Sequence, residues 1–214
     1  MKGIVFDVET TGLPESMKSA IEDSSKWPYV VQLSWIYFDG DIIVPHNYII
    51  KIDGNIPEES TKIHGITNEM SSKGISMKDA LLIFTKDFER GDVLVAHNIN
   101  FDLKLVQVES IRNGIDLDKS NKIQFCTMKY GTKITNIPGR WGLKYPKLIE
   151  LYTHMFDDSG SDNMSFHNAI IDVLICYRCF VKMTKNKDIL EDGAALDIWN
   201  SFVNNNIVDS INSV

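Results

Sequence analysis

The tightest constraint on this chain is a pair of acids, Asp7 and Glu9, at the end of its first apolar run, Gly3–Val8. In a β-strand alternate side chains share a face, so both carboxylates point one way while Phe6 and Val8 point the other. Such a strand is buried on one side and carries two neighbouring negative charges on the other. Like carboxylates side by side repel unless a cation lies between them. A solvated strand end leading into the turn at Gly12 is the alternative, but it does not explain acids next to an apolar strand. The pair points to a central strand that ends at a metal site.

Two further segments carry acids in unusual company. Asp102 closes His97-Asn98-Ile99-Asn100-Phe101-Asp102, directly after the short apolar run Val93–Ala96. A strand-to-helix junction is where open α/β sheets build sites. An acid in the first turn of a helix also suits the helix dipole, so Asp102 alone fits either role. Asp172 lies in His167-Asn168-Ala169-Ile170-Ile171-Asp172-Val173, with branched apolar neighbours and no Lys or Arg within one turn. A carboxylate desolvated in this way needs a partner or a metal. His167, after the polar Asp157–Ser165 stretch, reads alone as a surface cap and acquires meaning only beside these acids.

The intervening pattern predicts an α/β fold with a mixed sheet. Val30–Phe38 and Ile42–Ile50 are β-rich runs split by the hairpin signal Asp39-Gly40-Asp41. Ile56–His64 is expected to form a short helix, and Ser76–Glu89 a longer one with Ser76 as N-cap. Phe101–Asn113 reads as a helix ended by Gly114, Ile123–Cys126 as a strand, and Lys147–Met155 and Ala169–Thr184 as helices. Lys18–Lys26 reads as an exposed loop. After a polar stretch at Thr184–Gly193, Ala194–Asn204 is a small helix candidate. The expected organisation is one domain over residues 1–184, with a helical extension over 185–214 packed on it or trailing from it.

Charge enters where it bears on partners. The net charge of −7 argues against a passive nucleic-acid-binding module. It is compatible with a metal-dependent nuclease, because bound cations reverse the local sign where phosphate sits. No apolar stretch approaches bilayer length, the acid-rich N-terminus does not resemble a signal or transit peptide, and the three cysteines fit buried thiols. The expectation is no membrane partner and a cytoplasmic, or in a eukaryote nuclear, location. A calcium-loop reading of the acids at 157–162 fails, because the twelfth position is Asn168 where an EF-hand needs Glu.

Taken together, the segments FDVETTGL, HNINFD and HNAIID resemble, in order and spacing, the three motifs of the DEDDh 3′→5′ exonucleases. That group includes the proofreading subunit of bacterial DNA polymerase III, and the resemblance covers about residues 3–184. The sister DEDDy group carries tyrosine four residues before its last acid. Here that position is Asn168, and histidine stands five before. IHGIT at 63–67 and CTMK at 126–129, followed by YPKLIEL at 145–151, are similar to secondary features of the family.

The resemblance implies a ribonuclease H-like fold with a central mixed five-stranded sheet flanked by helices. It implies that Asp7, Glu9, Asp102 and Asp172 hold two Mg²⁺ ions, for which Mn²⁺ can substitute, with hard oxygen ligands that do not suit zinc. In that scheme Asp7 bridges the two, Glu9 and Asp172 hold the ion carrying the attacking water, and Asp102 supports the other. His167 is the general base. Thr10, Leu13, His64, Asn98 and Phe101 are the candidate substrate contacts, with core packing an equal reading for Leu13 and Phe101. The implied substrate is a single-stranded or frayed 3′ end, DNA ahead of RNA, in proofreading, repair or degradation, with a polymerase or repair protein as a possible partner. An RNA-trimming enzyme and a catalytically weak polymerase-accessory protein are the alternatives. Longer segments at 15–29 and 133–144 depart from the family pattern and are expected to border the groove.

Overall fold

A computed structural model describes residues 1–157, 167–191 and 193–204. The polar stretch at 158–166, including most of the acids of the rejected calcium-loop reading, and the tail beyond 204 lie outside the described residues. The chain opens with β1 (Lys2–Thr10), β2 (Val30–Asp39) and β3 (Ile42–Lys51), then α1 (Glu58–His64), α2 (Asn68–Ser72), β4 (Ile75–Ser76) and α3 (Met77–Arg90). It continues through β5 (Val93–Ala96), α4 (Ile99–Asn113), β6 (Ile123–Cys126), α5 (Thr127–Thr135) and the small hairpin β7 (Pro138–Gly139) and β8 (Gly142–Leu143). It ends with α6 (Leu148–Phe156), α7 (Ala169–Lys185) and α8 (Gly193–Trp199), the last running on into a π-turn at Asn200–Asn204.

The main sheet is mixed and has the order β4-β3-β2-β1-β5-β6. β1, β2 and β3 form the antiparallel meander, and β5 and β6 add in parallel beside β1. Five of these strands are those expected. The sixth, β4, is a two-residue parallel edge too short to show any alternation in sequence. Asp39 pairs with Ile42 across the two-residue turn, where Gly40 takes φ 61°. Gly3 permits the β1–β5 pairing, since a Cβ there would fall 2.4 Å from the Val93 carbonyl oxygen.

The alternation in β1 sorts two cores. Ile4, Phe6 and Val8 face α3 and α4 with Leu33, Trp35, Phe84 and Leu103. Val5 faces α7 with Ile36, Phe38, Val95, Leu174 and Phe180. Asp7 and Glu9 share the α7 side with Val5, at the carboxyl end of the parallel strands. The caps expected at Ser76 and Gly114 form: the Ser76 hydroxyl accepts from the Asp79 amide, and Gly114 is left-handed.

The 18–26 stretch is an exposed to half-buried loop, as expected, and what the sequence did not show is how the 15–29 insertion around it is anchored. Met17 and Ile21 pack on the core, and Trp27 is buried with its indole donating to the Ala20 carbonyl. Arg112 of α4 donates to the carbonyls of Ser24, Trp27 and Pro28. A guanidinium satisfied by three carbonyls and Glu109 ties the insertion to the back of α4. At the other end of the chain, Trp199 and Phe202 are buried against α7, and Arg178 clamps Asp188 through two bonds of 2.7 and 2.8 Å. Three buried thiols, Cys126, Cys176 and Cys179, are free. No helix among the described residues is long and apolar enough to cross a membrane.

Candidate active site

Asp7 and Glu9 stand on consecutive same-face positions of β1, opposite Ser34 and Gln32 of β2. A register shift between Glu9 and Thr10 ends the regular ladder there and turns the chain out of the sheet. Asp102 comes from the first turn of α4, which begins where β5 stops, and is only 3% exposed. Asn98 makes this sharp junction by adopting the left-handed conformation, φ 78°, which asparagine tolerates. Asp172 comes from the first turn of α7, whose N-cap Asn168 accepts from the Ile170 amide. His167 is exposed and left-handed at φ 68°.

The acids therefore converge from three elements. Ligand atoms of Glu9, Asp172 and His167 lie within 4.8 Å of one another. Burial, with Asp102, Asp172 and Glu9 nearby, holds Asp7 well above the ordinary carboxylate range. Burial, then Asp172 and Asp102, pushes Glu9 up to about 8. Asp102 rises to about 8 through burial and Asp172, against the amides of Asp102 and Val8, and Asp172 rises to about 7 through burial. Among the described residues no Lys or Arg pairs with any of the four, and Asp172 Oδ1 is buried without a hydrogen-bond partner. Four carboxylates in this state need positive charge from outside the chain before they can ionise together.

The substrate candidates are more dispersed. His64 is buried at the end of α1, where its Nδ1 accepts from the Ile66 amide, so the proton sits on Nε2. That Nε2 is buried without a partner among the described residues. His64, His167, Gln32, Ile66 and Asn168 line one cleft of about 290 Å³ beside the acids. Thr10 turns its hydroxyl to the Gly12 carbonyl, 2.6 Å away. Leu13 is 84% exposed, which rules out core packing for it, whereas Phe101 packs partly on the core.

Sequence reasoning missed the polar network under the site. Gln32 Nε2 donates to Asn47 Oδ1 and to Asn168 Oδ1, its Oε1 accepts from the Ala169 amide, and Ser34 donates to Asn47. These buried groups fix the first residues of α7 to β2 and β3, and so set where Asp172 sits relative to Asp7. The signal was present, because Gln32 and Ser34 are alternate polar residues in an otherwise apolar strand, on the face of Asp7 and Glu9. Gln32→Ala leaves the buried Ala169 amide without its acceptor and takes one of two donors from each of Asn47 and Asn168, an expected loss of about 1–3 kcal/mol. It should also lower kcat more than it raises KM, which denaturant titration and steady-state kinetics check together. Unchanged kcat would mean that the network only holds the fold.

His97, in the second motif, is engaged at both ring nitrogens by other elements of the fold. Its Nε2 donates to the Pro146 carbonyl at 3.0 Å and its Nδ1 accepts from Thr127 at 2.9 Å, and burial lowers its pKa to about 4. It is a neutral tether from the end of β5 to α5 and the entry of α6.

With this geometry in view, comparison with known proteins gives consistent results. The family model RNase_T, described as an exonuclease, matches residues 4–180. The DNA polymerase III PolC-type protein of Mycoplasmopsis pulmonis is 29% identical over 116 residues, 54% of this chain but 7% of that protein. An uncharacterized exonuclease of Escherichia phage 186, CP81, is 29% identical over 175 residues, 79% of this chain and 81% of its own length. Among solved structures, E. coli exonuclease I in complex with a dA16 oligonucleotide superposes with a TM-score of 0.61 at 16% identity. That match covers 85% of this chain and 41% of the other, and it is a likeness of fold.

Proposed function

The chain belongs to the RNase_T exonuclease family, and from that premise we propose that it is a metal-dependent 3′→5′ exonuclease acting on single-stranded or frayed DNA ends. The observation that carries this reading is the convergence of four carboxylates, Asp102 buried and the other three half-buried, beside an exposed histidine and with no Lys or Arg partner among the described residues. The DNA preference draws on what the relatives are named for, a DNA polymerase and an exonuclease with a DNA oligonucleotide. Proofreading or repair alongside a polymerase is the setting this favours, and the described part of the extension, through Ile189, Ala195, Trp199 and Phe202, caps the domain.

In this reading Asp7, Glu9, Asp102 and Asp172 hold two divalent cations. The all-carboxylate donor set and the orphaned Asp172 Oδ1 suit Mg²⁺ or Mn²⁺. When bound, the cations supply charge relief at the phosphate oxygens and acidify the attacking water. His167 takes a proton from that water on an imidazole nitrogen. The hydroxide so formed adds to phosphorus as the P–O3′ bond breaks, and the leaving 3′-oxygen takes a proton from solvent, giving a nucleoside 5′-monophosphate and a new 3′-OH. In the same reading Leu13, which is exposed, wedges against the last base, and the Thr10 backbone meets the terminal sugar. His64, whose imidazole faces the Thr10 backbone, donates from Nε2 to the terminal nucleotide, and Asn98 and Phe101 shape the pocket wall.

A 5′-labelled strand should yield a stepwise ladder shortened from its 3′ end, abolished by EDTA and restored by Mg²⁺ or Mn²⁺. A parallel RNA strand tests the trimming alternative. No cleavage of DNA or RNA would defeat the nuclease reading and leave the accessory-protein one. His167→Ala should lower kcat by about 10²–10⁴-fold while metal still raises the melting temperature. Near-normal turnover in that variant would remove His167 from the base role.

A further inference from the structure

Between Thr127 and Lys147 the chain carries Lys129, Lys133, Arg140, Lys144 and Lys147 and no Asp or Glu, although the whole protein is at −7. All but Lys144 are exposed, and among the described residues only Lys144 has an acidic partner, Glu150. At the centre of this segment the β7–β8 hairpin lifts Trp141 into solvent, 89% exposed, with the Arg140 guanidinium 5.1 Å from its ring. Tyr145, directly after the hairpin, is 59% exposed. An indole held in water by a two-residue-strand hairpin has no packing role to account for it, and its cationic surroundings make it a poor apolar contact.

The hairpin is also placed with respect to the acids. Its outgoing strand reaches Pro146, whose carbonyl is held by His97, and the helix leading into it starts at Thr127, held by the same imidazole. His97 directly follows β5 and precedes the Asn98–Asp102 junction, so the tether fixes the basic segment at the carboxyl edge where the carboxylates converge.

We propose that the β7–β8 hairpin, through Trp141 and Arg140, is a stacking platform for bases of a single-stranded nucleic acid lying 5′ to the bond being cut. The occupant follows from chemistry: a flat aromatic face accepts any base, and a cation-only rim accepts the phosphates that join them. This rests on the exonuclease reading, because it places the rest of the strand whose 3′ end the carboxylates process. It also resolves how an acidic protein holds a polyanion, through one local basic strip and not through its overall charge.

The test separates the platform from the chemistry. Fluorescein-labelled T12 and U12 strands are titrated with the full chain in EDTA, where no cleavage intervenes, and binding is read by anisotropy. Trp141→Ala should weaken the tighter of the two complexes about tenfold, and Trp141→Phe should retain most of the affinity. Wild-type affinity in Trp141→Ala, or no measurable binding of either strand by the wild type, would overturn the platform. In the second case the hairpin is left for a protein partner. Failure of the nuclease reading shows elsewhere, as an uncut 3′ end with Mg²⁺ while strand binding still depends on Trp141.

Discussion

Asp7→Asn should reduce exonuclease turnover by about 10³-fold or more and, in the same protein, make the metal-free fold more stable. The two effects have one cause. Asp7 sits between Glu9 on its own strand and the carboxylates of Asp102 and Asp172, and burial already disfavours its charge. An amide of the same shape keeps the packing on β1 and removes one of four mutually repelling groups, so without metal the repulsion within the cluster falls. Functional sites commonly hold stability in reserve in this way, on the order of 1 kcal/mol or more per group. The ladder assay gives the loss, and melting curves in EDTA near pH 8 give the gain. A variant that keeps a tenth of the activity would place the metals elsewhere. A variant that melts below the wild type in EDTA would mean that Asp7 is a net stabiliser.

The second large effect is a fall in metal-free stability as pH rises from about 5 to about 9. In the unfolded chain these carboxyls titrate near pH 4. In the fold Asp172 titrates at about 7, and Glu9 and Asp102 at about 8. Between those limits the folded state holds protons that the unfolded state has lost. Stability is therefore full below the lower limit and disappears as pH climbs through the upper ones. Each unit of upward shift is worth about 1.4 kcal/mol, so fully buried Asp102 alone accounts for a few kcal/mol. At about 2–4 °C per kcal/mol for a chain of this size, the melting temperature should drop by roughly 10 °C. Asp87 and Asp188, whose values are lowered, act at the acid end and do not mask it. Excess Mg²⁺ should flatten the curve by holding the carboxylates ionised, with the largest rise at the alkaline end. A flat metal-free curve, or an equal Mg²⁺ effect at both ends, would contradict a shared buried cluster.

How much of this was written in the sequence depends on whether the signal was local. The acids were legible because strand alternation and apolar neighbours are properties of a few consecutive residues. The long elements followed for the same reason: β2, α3 and α7 announce themselves by continuous or periodic apolar runs. α5 was missed because TMKYGTKIT has Gly131 and β-branched residues that favour no helix locally. The glycine is explained only by tertiary contact, since a Cβ there would meet Leu151 of α6 at 2.8 Å. The burial of Trp27 and the anchoring of the 15–29 insertion were hidden because Arg112 lies more than eighty residues away in sequence. Leu13 was ambiguous for the same reason: whether a leucine packs or projects depends on what the rest of the chain brings to it.

The three free thiols carry a consequence of their own. Cys176 lies one turn below Asp172 on α7 and touches Thr127, and burial holds Cys179 at about 12 and Cys176 above its usual range. Neither is a reactive thiolate in the folded protein, so an alkylating reagent reaches them only when that layer opens. Cys176 therefore works as a built-in clock beneath the acids. Its labelling rate counts local openings of the catalytic layer without any engineered cysteine, and comparing rates with and without divalent ions tells how much of the protein's motion the metals remove.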